Sequence, residues 1–133
     1  MVDIRWKQRF QNLNEALGRL DELVQKDGLN WIEATALIKM FEIVFELSWK
    51  TLKDYLLEQG ITVKSPRDTI KQAYQMDLLD DGDTWLDAME KRNTMVHRYD
   101  EEFSKMLTGL IQGQYAPCFR ALQLKLSQKS SDE

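Results

Sequence analysis

The sequence predicts an all-α fold, an antiparallel four-helix bundle with one additional short helix. In five segments of the 133-residue chain, apolar residues recur at the spacing of a helix with one buried face. Residues that cap or end helices stand at the boundaries of these segments. No segment has the pattern of a strand. Because the connections between segments are short, consecutive helices are expected to lie antiparallel.

The first two predicted helices are the longest and form one hairpin. The first runs from about residue 3 to 26 and is ended by Gly28. The second covers about 31 to 59. Asn30 precedes it and Glu33 follows at the spacing of a capping box, which predicts where it begins. Two apolar rows overlap on this helix, so it is expected to be central and to pack against more than one neighbour.

Three shorter segments complete the predicted bundle. Ser65-Pro66 opens a helix that ends near residue 76, with serine as cap and proline at the first helical position. A fourth helix is expected over about 84–96. A fifth extends from about 100 to 126 with a kink at Pro117, because proline removes a helical hydrogen bond and crowds the preceding turn.

Composition describes a soluble globular protein with one domain, residues 1–126, and a polar, loose tail at 127–133. Apolar residues make up 43% and charged residues 30% of the chain. No apolar run is long enough to span a membrane, and the N-terminus lacks the apolar block of a secretory signal, so a cytoplasmic location is expected. The net charge of −4 argues against a broad surface for nucleic acid but allows a small phosphate site.

The scarcity of cysteine and histidine limits the chemistry. Cys118 and His97 are the only residues of their types, so we expect neither an internal disulfide nor a zinc site. A diiron bundle needs Glu-x-x-His pairs on facing helices and is excluded for the same reason. No cofactor is expected.

Arg92 interrupts the apolar stripe of the fourth helix at a position where packing requires a hydrophobic residue. An unpartnered buried guanidinium is costly, so an acid, a second subunit or a phosphate must meet it. Glu42 and Glu46 are the candidate acids. His97 and Tyr99 follow closely, and all three side chains converge only if the helix ends near His97 or a second copy contributes.

This group of side chains suits cleavage of RNA. Histidine moves protons near neutral pH, since its unperturbed pKa is about 6.5. Arginine holds phosphate and stabilises developing charge. Attack of a 2′-hydroxyl on the neighbouring phosphorus needs both a base and an acid. Because one chain has one histidine, a two-fold dimer would bring the two His97 side chains together.

Simpler interpretations of the same residues remain open. His97 can be a helix cap or a surface residue. Arg92 can extend past the apolar stripe to water or pair with Glu42 or Glu46. Tyr99 can be a packed aromatic residue with a hydrogen-bonded hydroxyl. The spacing of these residues does not decide between the interpretations.

The spacing of Arg92, His97 and Tyr99, with the polar Asn93 directly after the arginine, resembles the HEPN superfamily. The resemblance is closer to its branch of nucleotidyltransferase substrate-binding proteins and spans nearly the whole chain. Further stretches similar to this branch are residues 41–56, 65–68, 85–93 and 115–117.

The resemblance implies a helical bundle that dimerises, or forms a higher even oligomer, through the face that carries the motif. It also implies a minimal nucleotidyltransferase as partner in a toxin–antitoxin pair. In that scheme the chain is a metal-independent endoribonuclease that acts on RNA, with Arg92 and His97 as the catalytic pair. Tyr99 is then the residue that the partner modifies with AMP. Alternatively, the chain is a non-catalytic subunit that binds substrate for the transferase.

Five further residues are candidates for supporting roles in this site. They are Asn93, Arg98, Arg67, Glu42 and Glu46. For Arg67, Glu42 and Glu46 the simpler interpretation is a surface salt bridge or a salt bridge between subunits.

Overall fold

Helices occupy most of residues 5–132, the part of the chain that the computed structural model describes, and no strand lies within this part. The predicted all-α bundle is confirmed. None of the helices in these residues has both the length and the apolar character needed to cross a membrane. The helices are α1 (Arg5–Val24), α2 (Trp31–Glu58), α3 (Pro66–Gln75), α4 (Gly82–Thr94), α5 (Glu101–Leu110) and α6 (Ala116–Ser131), with a π-helical turn (Ile111–Tyr115) between the last two.

α1 and α2 form a helical hairpin, and the turn between them contains the predicted glycine and capping box. Gly28 has a φ of +64°, a left-handed conformation that side chains disfavour. The capping box at the start of α2 is present. The Glu33 amide donates to Asn30 Oδ1 at 2.8 Å, and the Asn30 amide donates to Glu33 Oε1 at 3.0 Å.

α2 is the central helix, as its two apolar rows predict. It packs along α1 and also against α3, α4 and α5. Aromatic contacts join it to the later helices: the ring centres of Phe41 and Tyr115 are 5.4 Å apart, and those of Phe45 and Trp85 are 6.2 Å apart. This aromatic core fixes α4, and with it the residues of the motif, against α2.

The last helical segment accommodates Pro117 by a π-helical turn directly before it. The predicted single helix with a kink at Pro117 is corrected to two α-helices joined by this wider turn. Proline lacks an N–H and crowds the preceding turn, and a turn with more residues relieves both problems. Phe119 is fully buried, whereas its neighbour Cys118 is only half-buried.

Other predicted boundaries also differ from the structure. α6 continues to Ser131, so residues 127–131 are helical and not the expected loose tail. No glycine or proline interrupts this stretch, and the backbone bonds of the helix simply continue. α4 ends at Thr94, two residues early.

Candidate functional site

The motif spans the end of one helix, a turn and the cap of the next helix. α4 ends at Thr94, and His97 lies in the turn that follows. Asp100 then caps α5 by accepting a hydrogen bond from the Phe103 amide at 2.8 Å. The helix therefore ends before His97, as convergence of the motif within one chain requires.

Arg92 pairs with an acid, which was one of three alternative partners predicted for it. Its guanidinium donates to Glu46 and also to Asn93 Oδ1, the latter at 3.2 Å. The guanidinium carbon lies 5.1 Å from the ring centre of Phe45, a cation–π contact. Only 22% of the Arg92 side chain is exposed. Arg92 is therefore anchored within its own chain.

Glu46 is the centre of a small polar network on α2. Its carboxylate accepts from Trp49 Nε1 at 3.1 Å and pairs with Lys50 at 3.1 Å, besides its contact with Arg92. Partial burial acts to raise the pKa of Glu46, but the bonds from Trp49 and Lys50 and the charge of Arg92 outweigh it and lower the pKa. Glu46 is therefore ionised at neutral pH and neutralises Arg92.

A groove of about 690 Å³ lies beside this network between α2 and the end of α4. We call it the motif groove. Four of the predicted site residues other than Arg92 line it, and most of its other lining residues are apolar. The lining residues are Glu42, Ile43, Glu46, Leu47, Arg92, Asn93, Met95, Val96 and Tyr99.

The remaining candidates lie outside the lining of the motif groove. His97 is exposed on the turn, where its backbone amide donates to the Thr94 carbonyl at 2.9 Å. Arg98 donates to Asp100 at 2.9 Å. Arg67 on α3 lies 4.0 Å from Glu90 on α4. The structure thus gathers Arg92, Asn93, Glu42, Glu46 and Tyr99 and places Arg67 in a separate ion pair.

Tyr99 occupies a different position from the other motif residues, because it lines two grooves. Its side chain is 56% exposed and belongs to a non-helical segment between α4 and α5. The second groove has a volume of about 670 Å³, and we call it the Trp31 groove. Its lining is Gly28, Leu29, Asn30, Trp31, Ala34, Thr35, Ile38, Tyr99, Asp100, Glu101, Ser104, Lys105, Thr108 and Gln112.

A hydrogen-bonded pair formed by the buried Tyr115 and the partly exposed Asp87 was missed in the sequence. The Tyr115 hydroxyl donates to Asp87, which also accepts from Lys91 at 2.8 Å. Burial acts to raise the pKa of Asp87, but the bonds from Lys91 and Tyr115 outweigh it and lower the pKa. Burial and the Asp87 bond raise the pKa of Tyr115. A tyrosine within an apolar stripe was the available signal, since a buried hydroxyl requires a partner.

The polar groups of the site limit what it can do. The motif groove holds two carboxylates against one guanidinium, so it does not attract a polyanion by charge. Among residues 5–132, no group of three or more His, Cys, Asp or Glu side chains is placed to hold a metal ion. Tyr99 and His97 are both exposed, and a phenol hydroxyl and an imidazole can react or move a proton.

These helices define an all-α helical-bundle protein whose motif groove lies between α2 and the end of α4. The chain belongs to the family described as nucleotidyltransferase substrate binding protein like, which it matches over residues 8–128. It is also similar to a protein of known crystal structure from Thermus thermophilus. The two are 30% identical with a TM-score of 0.79, over 86% of this chain and 98% of the other. Among curated proteins, none matches this chain.

Proposed function

We propose that this chain is the non-catalytic, substrate-binding subunit of a two-chain nucleotidyltransferase, and that Tyr99 is the residue it offers to the transferase. The exposure of Tyr99 in the segment between α4 and α5 is the observation that carries the proposal. Membership in a family of nucleotidyltransferase substrate-binding-like proteins supports the coarser part, a transferase as partner.

The backbone around Tyr99 suits a residue that must enter the active site of another protein. The segment from Arg98 to Asp100 is in neither helix, and rigid helices hold both of its ends. A side chain that reacts in a second protein must protrude, because the reacting atoms have to approach within about 3–3.5 Å. Tyr99 meets this condition, whereas the buried Tyr115 does not.

Arg92 in this proposal is a structural anchor and not a phosphate clamp. Its guanidinium is occupied by Glu46 and Asn93 and covers the ring of Phe45. To hold a phosphate it would have to give up its contact with the ionised Glu46, which would then keep only Trp49 and Lys50 as partners.

The test is co-expression with the proposed partner, a minimal nucleotidyltransferase from the same genome, followed by incubation with ATP and magnesium. We expect the two chains to co-purify and this chain to gain the mass of AMP. Tyr99→Phe should abolish the gain. Tyr74→Phe is the matched control, because Tyr74 is similarly exposed but lies on α3. A complex that fails to form, or a gain that survives Tyr99→Phe, contradicts the proposal.

A second candidate function is a metal-independent endoribonuclease toxin that the transferase silences. The exposed imidazole of His97 favours it, because a two-fold dimer through the motif face would give a cleft both an acid and a base. AMP on Tyr99 would then exclude RNA by its bulk and charge. The purified chain should cleave RNA in the presence of a chelator, and His97→Ala should not. Cleavage that persists in His97→Ala removes this candidate.

A further inference from the structure

The Trp31 groove has the dimensions of a ligand site and adjoins the proposed reactive group. Its volume of about 670 Å³ falls in the range of pockets that hold small ligands. Tyr99 belongs to its lining and to that of the motif groove. A group attached to the hydroxyl of Tyr99 therefore has two grooves available to it.

Trp31 is the feature that distinguishes the two grooves. It is the first residue of α2, and 77% of its surface is exposed. An indole in this position contributes little to the core of the chain, but its open face can stack on a planar ring. Apart from Tyr99 itself, the described residues that line the motif groove include no aromatic side chain.

Polar side chains line the rest of the Trp31 groove. Thr35, Ser104, Thr108 and Gln112 offer hydroxyl and amide groups. The hydroxyls of Thr35 and Thr108 and the amide nitrogen of Gln112 donate to backbone carbonyls, so these side chains offer mainly acceptor oxygens to the edge of a heterocycle. The motif groove offers the carboxylates of Glu42 and Glu46 instead.

The charges of the Trp31 groove are balanced locally. Asp100 accepts from Arg98 at 2.9 Å and from the Phe103 amide. Glu101 lies 3.6 Å from Lys105. Because each carboxylate already has a cationic partner, the groove suits a neutral ring better than a phosphate.

We propose that the Trp31 groove holds the nucleoside of the nucleotide transferred to Tyr99, with its base stacked on the Trp31 indole. This inference rests on the proposed function. The phenolic oxygen of Tyr99 bonds to the α-phosphorus of a nucleoside triphosphate, the bond to pyrophosphate breaks, and the phenolic proton passes to a base on the transferase. The phosphate then remains at the Tyr99 oxygen, between the two grooves, and the nucleoside occupies the Trp31 groove.

Protection of the attached nucleotide tests the inference. The full chain is modified by its transferase, the modification is confirmed by intact mass, and a phosphodiesterase is added. Trp31→Ala should speed loss of the nucleotide by roughly 5- to 150-fold, the range that one base–aromatic stack is worth. Val96→Ala is the matched control, because Val96 is similarly exposed but lines the motif groove. Faster loss in Val96→Ala alone, or in neither variant, overturns the inference.

A binding measurement on the unmodified chain separates this inference from the proposed function. The four common ribonucleoside monophosphates are added in turn, and tryptophan fluorescence is recorded. Trp6 and Trp85 are buried and Trp49 is half-buried, so Trp31 is the tryptophan most open to a stacked base. Quenching by at least one nucleotide that disappears in Trp31→Phe supports the groove even if Tyr99 is never modified. Absence of quenching in a chain that is also never modified overturns it.

Discussion

Arg92 illustrates how a charge can occupy a core-facing position when its own chain supplies every partner. The carboxylate of Glu46 neutralises the guanidinium, the ring of Phe45 packs against it, and Asn93 Oδ1 accepts a second hydrogen bond from it. The sequence required an acid, a second subunit or a phosphate at this point. The structure selects the acid, and this leaves Tyr99 and His97 as the exposed groups of the motif.

Removing the charge of Glu46 should destabilise the chain. In Glu46→Gln the guanidinium of Arg92, which is mostly buried, loses its anionic partner, and we expect the free energy of unfolding to fall by about 1–3 kcal/mol. Glu42→Gln is the control, because Glu42 only lies 3.6 Å from Lys39 on the surface, and it should cost less than about 1 kcal/mol. Urea unfolding measures both. If both variants lose the same free energy of unfolding, the ion pair with Arg92 contributes no more to stability than a surface ion pair.

Asp87 should make stability depend on pH in the acid range. Its folded pKa is below the ordinary value of about 3.9, so its contribution is full above that pH and is lost as the pH falls through the folded pKa. In Asp87→Asn the acid loss of stability should be shallower, and in Tyr115→Phe it should be intermediate, since one of two side-chain bonds remains. Urea unfolding at several pH values measures the slopes. An unchanged slope in Asp87→Asn contradicts this role.

At the scale of elements, the connection between α4 and α5 matters most, because it presents Tyr99. Asp100 fixes its far end by capping α5 and by accepting from Arg98. The cap is formed by one residue of the segment itself. The position of Tyr99 therefore depends on the start of α5.

Loss of this cap should loosen the segment. Asp100→Ala should lower the free energy of unfolding by about 0.5–2 kcal/mol, the cost of removing an N-cap, and should speed amide exchange in the first turn of α5. Glu102→Ala, an exposed position in the same turn, is the control and should change stability by less than about 0.5 kcal/mol. Hydrogen exchange resolved by residue distinguishes the two. Unchanged exchange in Asp100→Ala would show that other contacts hold the segment.

The elements show which parts of the fold local sequence can predict. Caps were predictable, because Asn30 and Ser65 act through residues only three positions away. The π-helical turn before Pro117 was not, since proline by itself predicts only a kink, and Tyr115 in this turn also packs against Phe41 and bonds to Asp87. The helical stretch after Leu126 was also missed, because polar composition does not by itself end a helix.

At the scale of the whole molecule, the candidate site was only partly predictable for the same reason. The motif residues were identified from their spacing, and the pairing of Arg92 with Glu46 was one of the alternatives considered. The Trp31 groove was not foreseen, because it joins the start of α2 to α5 across the bundle. Contacts between residues this far apart in sequence leave no local pattern.

The exposed apolar residues around the motif groove give the last prediction, a homodimer through this face. Val96 is 80% exposed, and Ile43 is exposed beside it. A two-fold contact through this face would bury these residues in both copies and so remove apolar surface from water. Sedimentation velocity should therefore detect a dimer of the full chain.

Val96→Lys should convert this dimer to a monomer, because the two-fold axis would bring two like charges into an apolar contact. Leu124→Lys is the matched control: Leu124 is similarly exposed but lies on α6, and the dimer should persist. A chain that is monomeric throughout contradicts the homodimer and removes the cleft that the ribonuclease candidate needs. It leaves the Tyr99 acceptor intact, because that role requires only one copy of this chain and its transferase.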